Sequence, residues 1–161
     1  MMLLRKFYSE KKISLVEPSI NIYDSYAQKS KNCLLSAKIL HKEQLYENSV
    51  SQSYFAMYNQ ALAILFACGI KSENHTATIL LIEKVLELPS LSAIIHDAKK
   101  ERIDKQYYVT TEASEPLTKE ISYELIQSAE LFSNSLRNVF DELTEEKREE
   151  IRKKFRDIVQ K

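Results

Sequence analysis

The chain has 161 residues, with 23 Lys and Arg against 23 Asp and Glu, so its formal net charge is zero. Bulk electrostatics therefore gives no basis for tight duplex binding, and the length fits a single domain, residues 1–161. One glycine, Gly69, and three prolines, Pro18, Pro89 and Pro116, exclude a turn-rich sheet protein and predict an all-α, up-and-down helical bundle of about five helices plus a C-terminal helix.

Residues 1–21 show no clear helical period, and Pro18, Ser19 and Asn21 read as a loop. The spacing of Tyr23, Tyr26, Ala27, Leu34, Ala37, Ile39, Leu40 and Leu45 predicts a first long helix over about 22–45. A second starts near Asn48 or Ser49, both good caps, and ends at Gly69, which suits a helix C-terminus. It is apolar nearly all round after Tyr54, so it is central in its bundle or covered by a partner chain. A third helix runs from about 74–76 to Leu88. Ser90 caps a fourth, with Leu91, Ile94, Ile95 and Ala98 inward, continuing through Arg102 toward Tyr107. Residues 110–116 read as a loop. Thr118 caps a fifth helix with the stripe Ile121, Leu125, Ala129, Phe132 and Leu136, and Thr144 caps a sixth with Ile151, Phe155, Ile158 and Val159 on its apolar edge. That edge is narrow and the other face strongly charged, so the core is placed at about 13–140, with the helix at about 144–160 dispensable to it.

Cys33 and Cys68 sit in apolar helical stretches and read as buried thiols of a reducing compartment. The first seven residues are too short and too soon charged for a signal peptide, and the longest apolar run, 61–68, is too short for a membrane span; a cytoplasmic location follows by default. His41, His75 and His96 are scattered without the paired spacing of zinc or di-iron sites, which predicts no metal. One glycine allows no phosphate loop, and neither cysteine carries a nucleophile signature. No cofactor is implied.

The polar run at residues 98–108 is the remaining candidate. Arg102 and Gln106 are four apart and share a face, with Asp104, Tyr107 and Tyr108 close by. Pattern alone favours a solvated helix end there, a capping role for His75, and a core role for the stripe Tyr54, Phe55, Met57 and Tyr58.

The segment Ser53-Tyr54-Phe55-Ala56-Met57-Tyr58, followed by small and aliphatic residues to Cys68, resembles the signature second helix of HEPN domains, a family of small helical bundles that includes nucleotide-associated proteins and RNase toxins. Gly69-Ile70 leading to Asn74-His75 is similar to the family's Ser-His. Glu101-Arg102 with Asp104 and Tyr107 is similar to its Arg-x-x-Ala-Asp-Tyr, and residues 126–134 to its closing helix. The resemblance covers about 13–138. It implies a homodimer in which two copies of an Arg-then-His motif face one cleft, and metal-independent RNA cleavage there, a guanidinium offsetting phosphoryl charge and an imidazole moving the proton. Arg102 matches the Arg. The His would fall at Tyr107, Tyr108 or Val109, and no His follows. A free Tyr titrates near 10, so it is a poor general base at neutral pH. The resemblance thus implies a cleft that binds nucleotide or RNA through Arg102, Asp104, Gln106, Tyr107, Tyr108 and His75. Arg102 and Tyr107 stand in the catalytic positions, and the absent His argues against nuclease activity. It further implies a small nucleotidyltransferase as partner in a toxin–antitoxin-type system, with Tyr107 and Tyr108 as modification sites. The alternative is an RNase whose acid–base group is rearranged, with His75 reaching the cleft.

Overall fold

The computed structural model describes residues 1–160. Seven helices and two short strands follow in the order α1 (Met2–Ser9), β1 (Ile13–Leu15), α2 (Ile20–Lys42), α3 (Tyr46–Ala67), β2 (Ile70–Ser72), α4 (His75–Lys84), α5 (Pro89–Tyr107), α6 (Glu115–Asp141) and α7 (Glu145–Gln160). The architecture is the expected all-α bundle with one small addition. β1 and β2 pair antiparallel, Ile13 opposite Ser72 and Leu15 opposite Ile70.

The long helices form where the apolar spacing places them, and their ends depart by a few residues for local reasons. Ser19 caps α2, its side chain accepting from the Ile22 N–H at 3.2 Å. α3 begins at Tyr46, ahead of the expected caps, because Gln44 takes the left-handed turn (φ 63) that separates it from α2. Ser49 is occupied otherwise: buried, it donates to the Ala37 carbonyl across the helix pair at 2.8 Å. Ser30 does the same to Ala56 at 2.7 Å. Small hydroxyl and alanine side chains thus let α2 and α3 approach closely. α4 stops at Lys84, short of Leu88, and Glu87 turns with φ 58. Pro89 then opens α5 in the first-turn position that suits proline, so Ser90 is no cap. α6 likewise starts with Glu115 and Pro116. Thr118 is buried and bonds back to the Ser114 carbonyl at 3.1 Å rather than capping. Thr144 does cap α7, accepting from Lys147 N at 3.2 Å.

Two cores result. In the first, α3 lies at the centre, and Val50, Met57 and Ile64 meet Ile95 and Ala98 of α5 and Leu125, Ala129, Phe132 and Leu136 of α6. The all-round apolarity of α3 is therefore satisfied within one chain. In the second, Leu4 of α1, Ile13, Ile70, Leu81 of α4 and Cys68 surround Phe155, Ile158 and Val159 of α7. This cluster is at odds with a dispensable last helix, since Phe155 is fully buried in it. α1 escaped the sequence reading because eight residues are too few to set a period, although Leu4 and Phe7 pack into this core and Arg5 bonds to the Ile158 carbonyl at 3.0 Å.

α7 also closes the end of α3. Arg148 donates to the Ala67 carbonyl at 2.9 Å, and Arg152 to those of Val16 and Gly69 at 2.8 and 3.0 Å. Guanidiniums at the negative pole of α3 satisfy carbonyls that the helix leaves open. Gly69 (φ +73) is required there twice over: a Cβ would lie 1.9 Å from Arg152 Nη1 and 2.7 Å from the Val16 carbonyl.

Candidate functional site

The middle of α3 supplies an aromatic floor. Tyr54 and Tyr58 are one turn apart with ring centroids 6.1 Å apart and nearly parallel, and Phe55 tilts against Tyr54 at 5.5 Å. From Gly69 the chain crosses β2 and reaches Asn74, whose side chain caps α4 by accepting from Ala77 N at 3.0 Å. This cap fixes His75 as the first residue of α4. Its imidazole stacks on Tyr58 at 4.0 Å with planes 8° apart, and its Nδ1 lies 2.5 Å from the Tyr54 hydroxyl. Tyr54 is completely buried, so that hydrogen bond is what satisfies its hydroxyl.

α5 brings the charges. The Arg102 guanidinium lies over the faces of Tyr54 and Phe55, with Cζ 5.1 and 5.5 Å from the ring centroids. Its Nη1 donates to Gln106 at 3.2 Å, and its Nε is buried without a partner. One turn earlier, Lys99 donates to the Thr76 hydroxyl at 2.8 Å. Arg102, Lys99 and His75 therefore converge beside the N-terminus of α4, the positive pole of that helix.

No carboxylate offsets them among the described residues. Glu101 pairs with Lys105 and Glu73 with Lys71, while Asp104 shares the groove between α4 and α5 with Lys99 and Thr76 and makes no ion pair there. The titrations reflect this crowding. Burial, then the Arg102 and Lys99 charges, hold His75 below its ordinary value. Burial and Arg102 lower Lys99 as well. Burial pushes the Tyr54 phenol far up, so it remains protonated. The imidazole is thus neutral at pH 7. With Tyr54 donating to Nδ1 it offers an Nε2–H to a ligand; in the other tautomer it offers an Nε2 lone pair.

Of the residues expected from sequence, Arg102, Gln106 and His75 come together, the first two by their hydrogen bond and Arg102 and His75 through Tyr54. Asp104 lines the α4–α5 groove that Lys99 and Thr76 also line. Tyr107 and Tyr108 stand at the end of α5, each 73 % exposed. Four contributors escaped the sequence reading: Tyr54, Phe55 and Tyr58, which patterned as core, and Lys99. The available signals were phenols in an otherwise apolar helix, which demand a polar partner, and a Lys one turn from Arg102 on the same face.

The descriptive model of the HEPN domain matches residues 23–139, from α2 almost to the end of α6, and so contains Tyr54, His75, Lys99 and Arg102. A UPF0332 protein of Archaeoglobus fulgidus is 29 % identical over 115 residues, 69 % of this chain and 89 % of that relative. A UPF0332 protein of Gloeobacter violaceus is 41 % identical over 51 residues, 32 % of this chain and 40 % of its own length. No helix among the described residues is long and apolar enough to cross a membrane. With a family match spanning most of the helical bundle, the chain belongs to the HEPN domain family.

Proposed function

We propose that this protein binds a nucleotide or RNA by its phosphate at the Arg102–Lys99–His75 cluster. One observation carries the reading: three cationic or protonatable groups meet beside a helix N-terminus with no carboxylate among them, in a chain with as many acidic as basic side chains. Such an arrangement costs free energy unless an anion offsets it. The Arg102 Nη edge, whose bond to Gln106 is exposed, and the free nitrogen of His75 supply donors, Lys99 a point charge held by Thr76, and the aromatic floor keeps the guanidinium in place. Calorimetric titration with a 5′-phosphorylated oligoribonucleotide tests this. Binding should weaken as salt rises and fall about tenfold to a hundredfold in Arg102→Ala with the melting temperature retained. Salt-independent binding, or an Arg102→Ala protein that binds like wild type, refutes it.

The RNase alternative is favoured by a separate observation, the neutral His75 held by Tyr54 next to Arg102. There Nε2 would take the proton of an attacking 2′-OH while Arg102 offsets charge on the phosphate. RNA cleavage lost in both His75→Ala and Arg102→Ala would establish it.

A homodimer and a nucleotidyltransferase partner belong to the same reading. Ile103, Tyr107, Tyr108, Val109 and Leu117 are exposed around the end of α5, where they offer apolar area to a second copy and phenols to a modifying enzyme. Light scattering giving the single-chain mass of 18.8 kDa at micromolar concentration would count against the dimer.

A further inference from the structure

A cavity of about 720 Å³ fills the groove between α4 and α5, with Leu3 of α1 among its lining residues. That volume is ordinary for a small-molecule site. Its walls are mostly apolar, with Ile79 and Leu80 from α4 and Ala93 and Ile103 from α5. Lys99 and Thr76 line it too, and the same two residues belong to the cationic cluster, joined by the 2.8 Å bond from Lys99 Nζ. Lys99 therefore stands at the boundary between an apolar groove and a set of anion-binding donors.

Charge is shared unequally across that boundary. On the groove side, Glu83 and Asp104 stand against Lys99 and Lys100, so an uncharged segment of a ligand suits it. On the other side, the charges that act on His75 are both positive, Arg102 and Lys99, so the anionic end of a ligand belongs there. Arg102 is one turn beyond Lys99 and shares its face of α5. An amine between an anion seat and an apolar groove is placed to attack a carbon that links the two parts of one ligand. Lys99 is half-buried, and burial together with the Arg102 charge lowers its titration, which enlarges its share of free amine. Lys100 lines the same groove but is exposed, which makes it an internal reference for the reactivity of Lys99.

We propose that Lys99 is a modification site for acyl phosphates, the phosphate seated at Arg102 and His75 and the acyl chain in the α4–α5 groove. The inference rests on the phosphate-binding reading above and assigns that site a reactive class of ligand. The free amine of Lys99 attacks the acyl carbon. An N–C bond forms, and the bond from that carbon to the bridging oxygen breaks. The phosphate leaves with the electron pair and takes the proton that the nitrogen releases, so the products are an amide and inorganic phosphate. Acylation removes the Lys99 charge from the cluster, and the modified protein holds anions less tightly. The site is thus closed by its own reaction.

Acetyl phosphate added to the full chain is the probe, with peptide mass spectrometry following each lysine in time. Lys99 should be acetylated about tenfold faster than Lys100, and inorganic phosphate should slow Lys99 without slowing Lys100. The advantage of Lys99 should vanish in Arg102→Ala. It should be far smaller in wild type with p-nitrophenyl acetate, a donor that carries no phosphate. Ile103→Glu, at a wall residue 36 % exposed, should slow butyryl phosphate more than acetyl phosphate. Lys99→Gln should bind inorganic phosphate about tenfold more weakly than wild type. Phosphate that binds in an Arg102-dependent way, with Lys99 acetylated no faster than Lys100, overturns the modification site and leaves the phosphate reading standing. Fast acetylation of Lys99 by both donors, unchanged by phosphate or by Arg102→Ala, also overturns it, because the amine is then reactive without a seated phosphate. Equal slowing of the two acyl phosphates by Ile103→Glu takes the acyl chain out of the groove and overturns the proposal as stated. Absence of both phosphate binding and a preference for Lys99 overturns both readings.

Discussion

Arg152 and Arg102 occupy opposite kinds of surroundings. On α7, Arg152 reaches the Val16 and Gly69 carbonyls, and its Nε lies 3.4 Å from Glu149. On α5, Arg102 rests on two aromatic faces, gives one hydrogen bond to a neutral amide and keeps a buried N–H without a partner. Both side chains are half-buried. Guanidinium donors cannot be removed by deprotonation, so an unfilled donor in a half-buried place is a cost that folding does not recover. Two arginines keep such an N–H, Arg102 and Arg137; what sets Arg102 apart is the pair of positive or protonatable groups, Lys99 and His75, that crowd it. The same contrast separates the two cores, since the second, around Phe155, contains no such orphaned cation among the described residues.

The comparison breaks most decisively at α7. Ending the chain at Phe140 strips Phe155, Ile158 and Val159 from the second core and both guanidiniums from the end of α3. The expected product is insoluble or molten, and Phe155→Ala alone should cost about 3–5 kcal/mol in a denaturant titration. A chain ending at Phe140 that unfolds cooperatively near the wild-type midpoint would show that the second core is an accessory. Arg152→Ala is the narrower cut. It leaves the Val16 and Gly69 carbonyls short of a donor and should cost about 1–3 kcal/mol without changing phosphate affinity. Loss of phosphate binding at unchanged stability would invert the assignment of the two arginines.

Arg102→Ala is the mirror experiment. Removing charge-assisted hydrogen bonds to a phosphate should weaken binding about tenfold to a hundredfold, while the melting temperature stays level or rises as crowding with Lys99 and His75 is relieved. Arg102→Lys should recover little, because an ammonium cannot cover two aromatic faces and present a planar fork of donors. A protein that binds as wild type and melts several degrees lower would show that Arg102 is scaffold.

The sequence made the bundle legible because α2, α5 and α6 carry apolar residues at helical spacing and α3 is one long apolar run, and the stripe Leu125, Ala129, Phe132 and Leu136 is buried as its period requires. What it hid had too little length or the wrong residue for a cap. α1 and the β1–β2 pair are too short for a period. α3 and α5 begin at Tyr46 and Pro89 without a side-chain cap, since Gln44 and Glu87 make left-handed turns that glycine usually makes. The site was half legible. Arg102, Gln106 and His75 stood out as polar residues near the end of α5 and the start of α4. Tyr54 and Tyr58 did not, because one buried ring serves both as core and as the seat for an imidazole, and a sequence pattern records only the first role. Lys99 looked like an ordinary solvated lysine until its bond to Thr76 across the α4–α5 gap was visible.

The smallest expected effect concerns His75. Burial and the facing Arg102 and Lys99 charges lower its titration from 6.5, while in the unfolded chain it titrates near that ordinary value. Below 6.5 the unfolded state therefore binds more protons than the folded state, so stability rises with pH through this window and is lost as pH falls. The contribution is fully present above 6.5. Thermal melts of wild type and His75→Gln should diverge accordingly: the wild-type midpoint falls more steeply as the solution is acidified below 6.5, and the variant lacks that extra slope. Equal slopes would mean that the imidazole feels neither cation. A bound anion changes the balance, because its charge offsets Arg102 and Lys99 and favours the imidazolium. Saturating sulfate, an anion that does not titrate in this window, should therefore shrink the difference between the two proteins, and its binding to the wild type should take up protons, visible as a calorimetric heat that depends on the ionisation enthalpy of the buffer. A buffer-independent heat in this window would place the anion away from His75, leaving Arg102 and Lys99 to hold it without the imidazole.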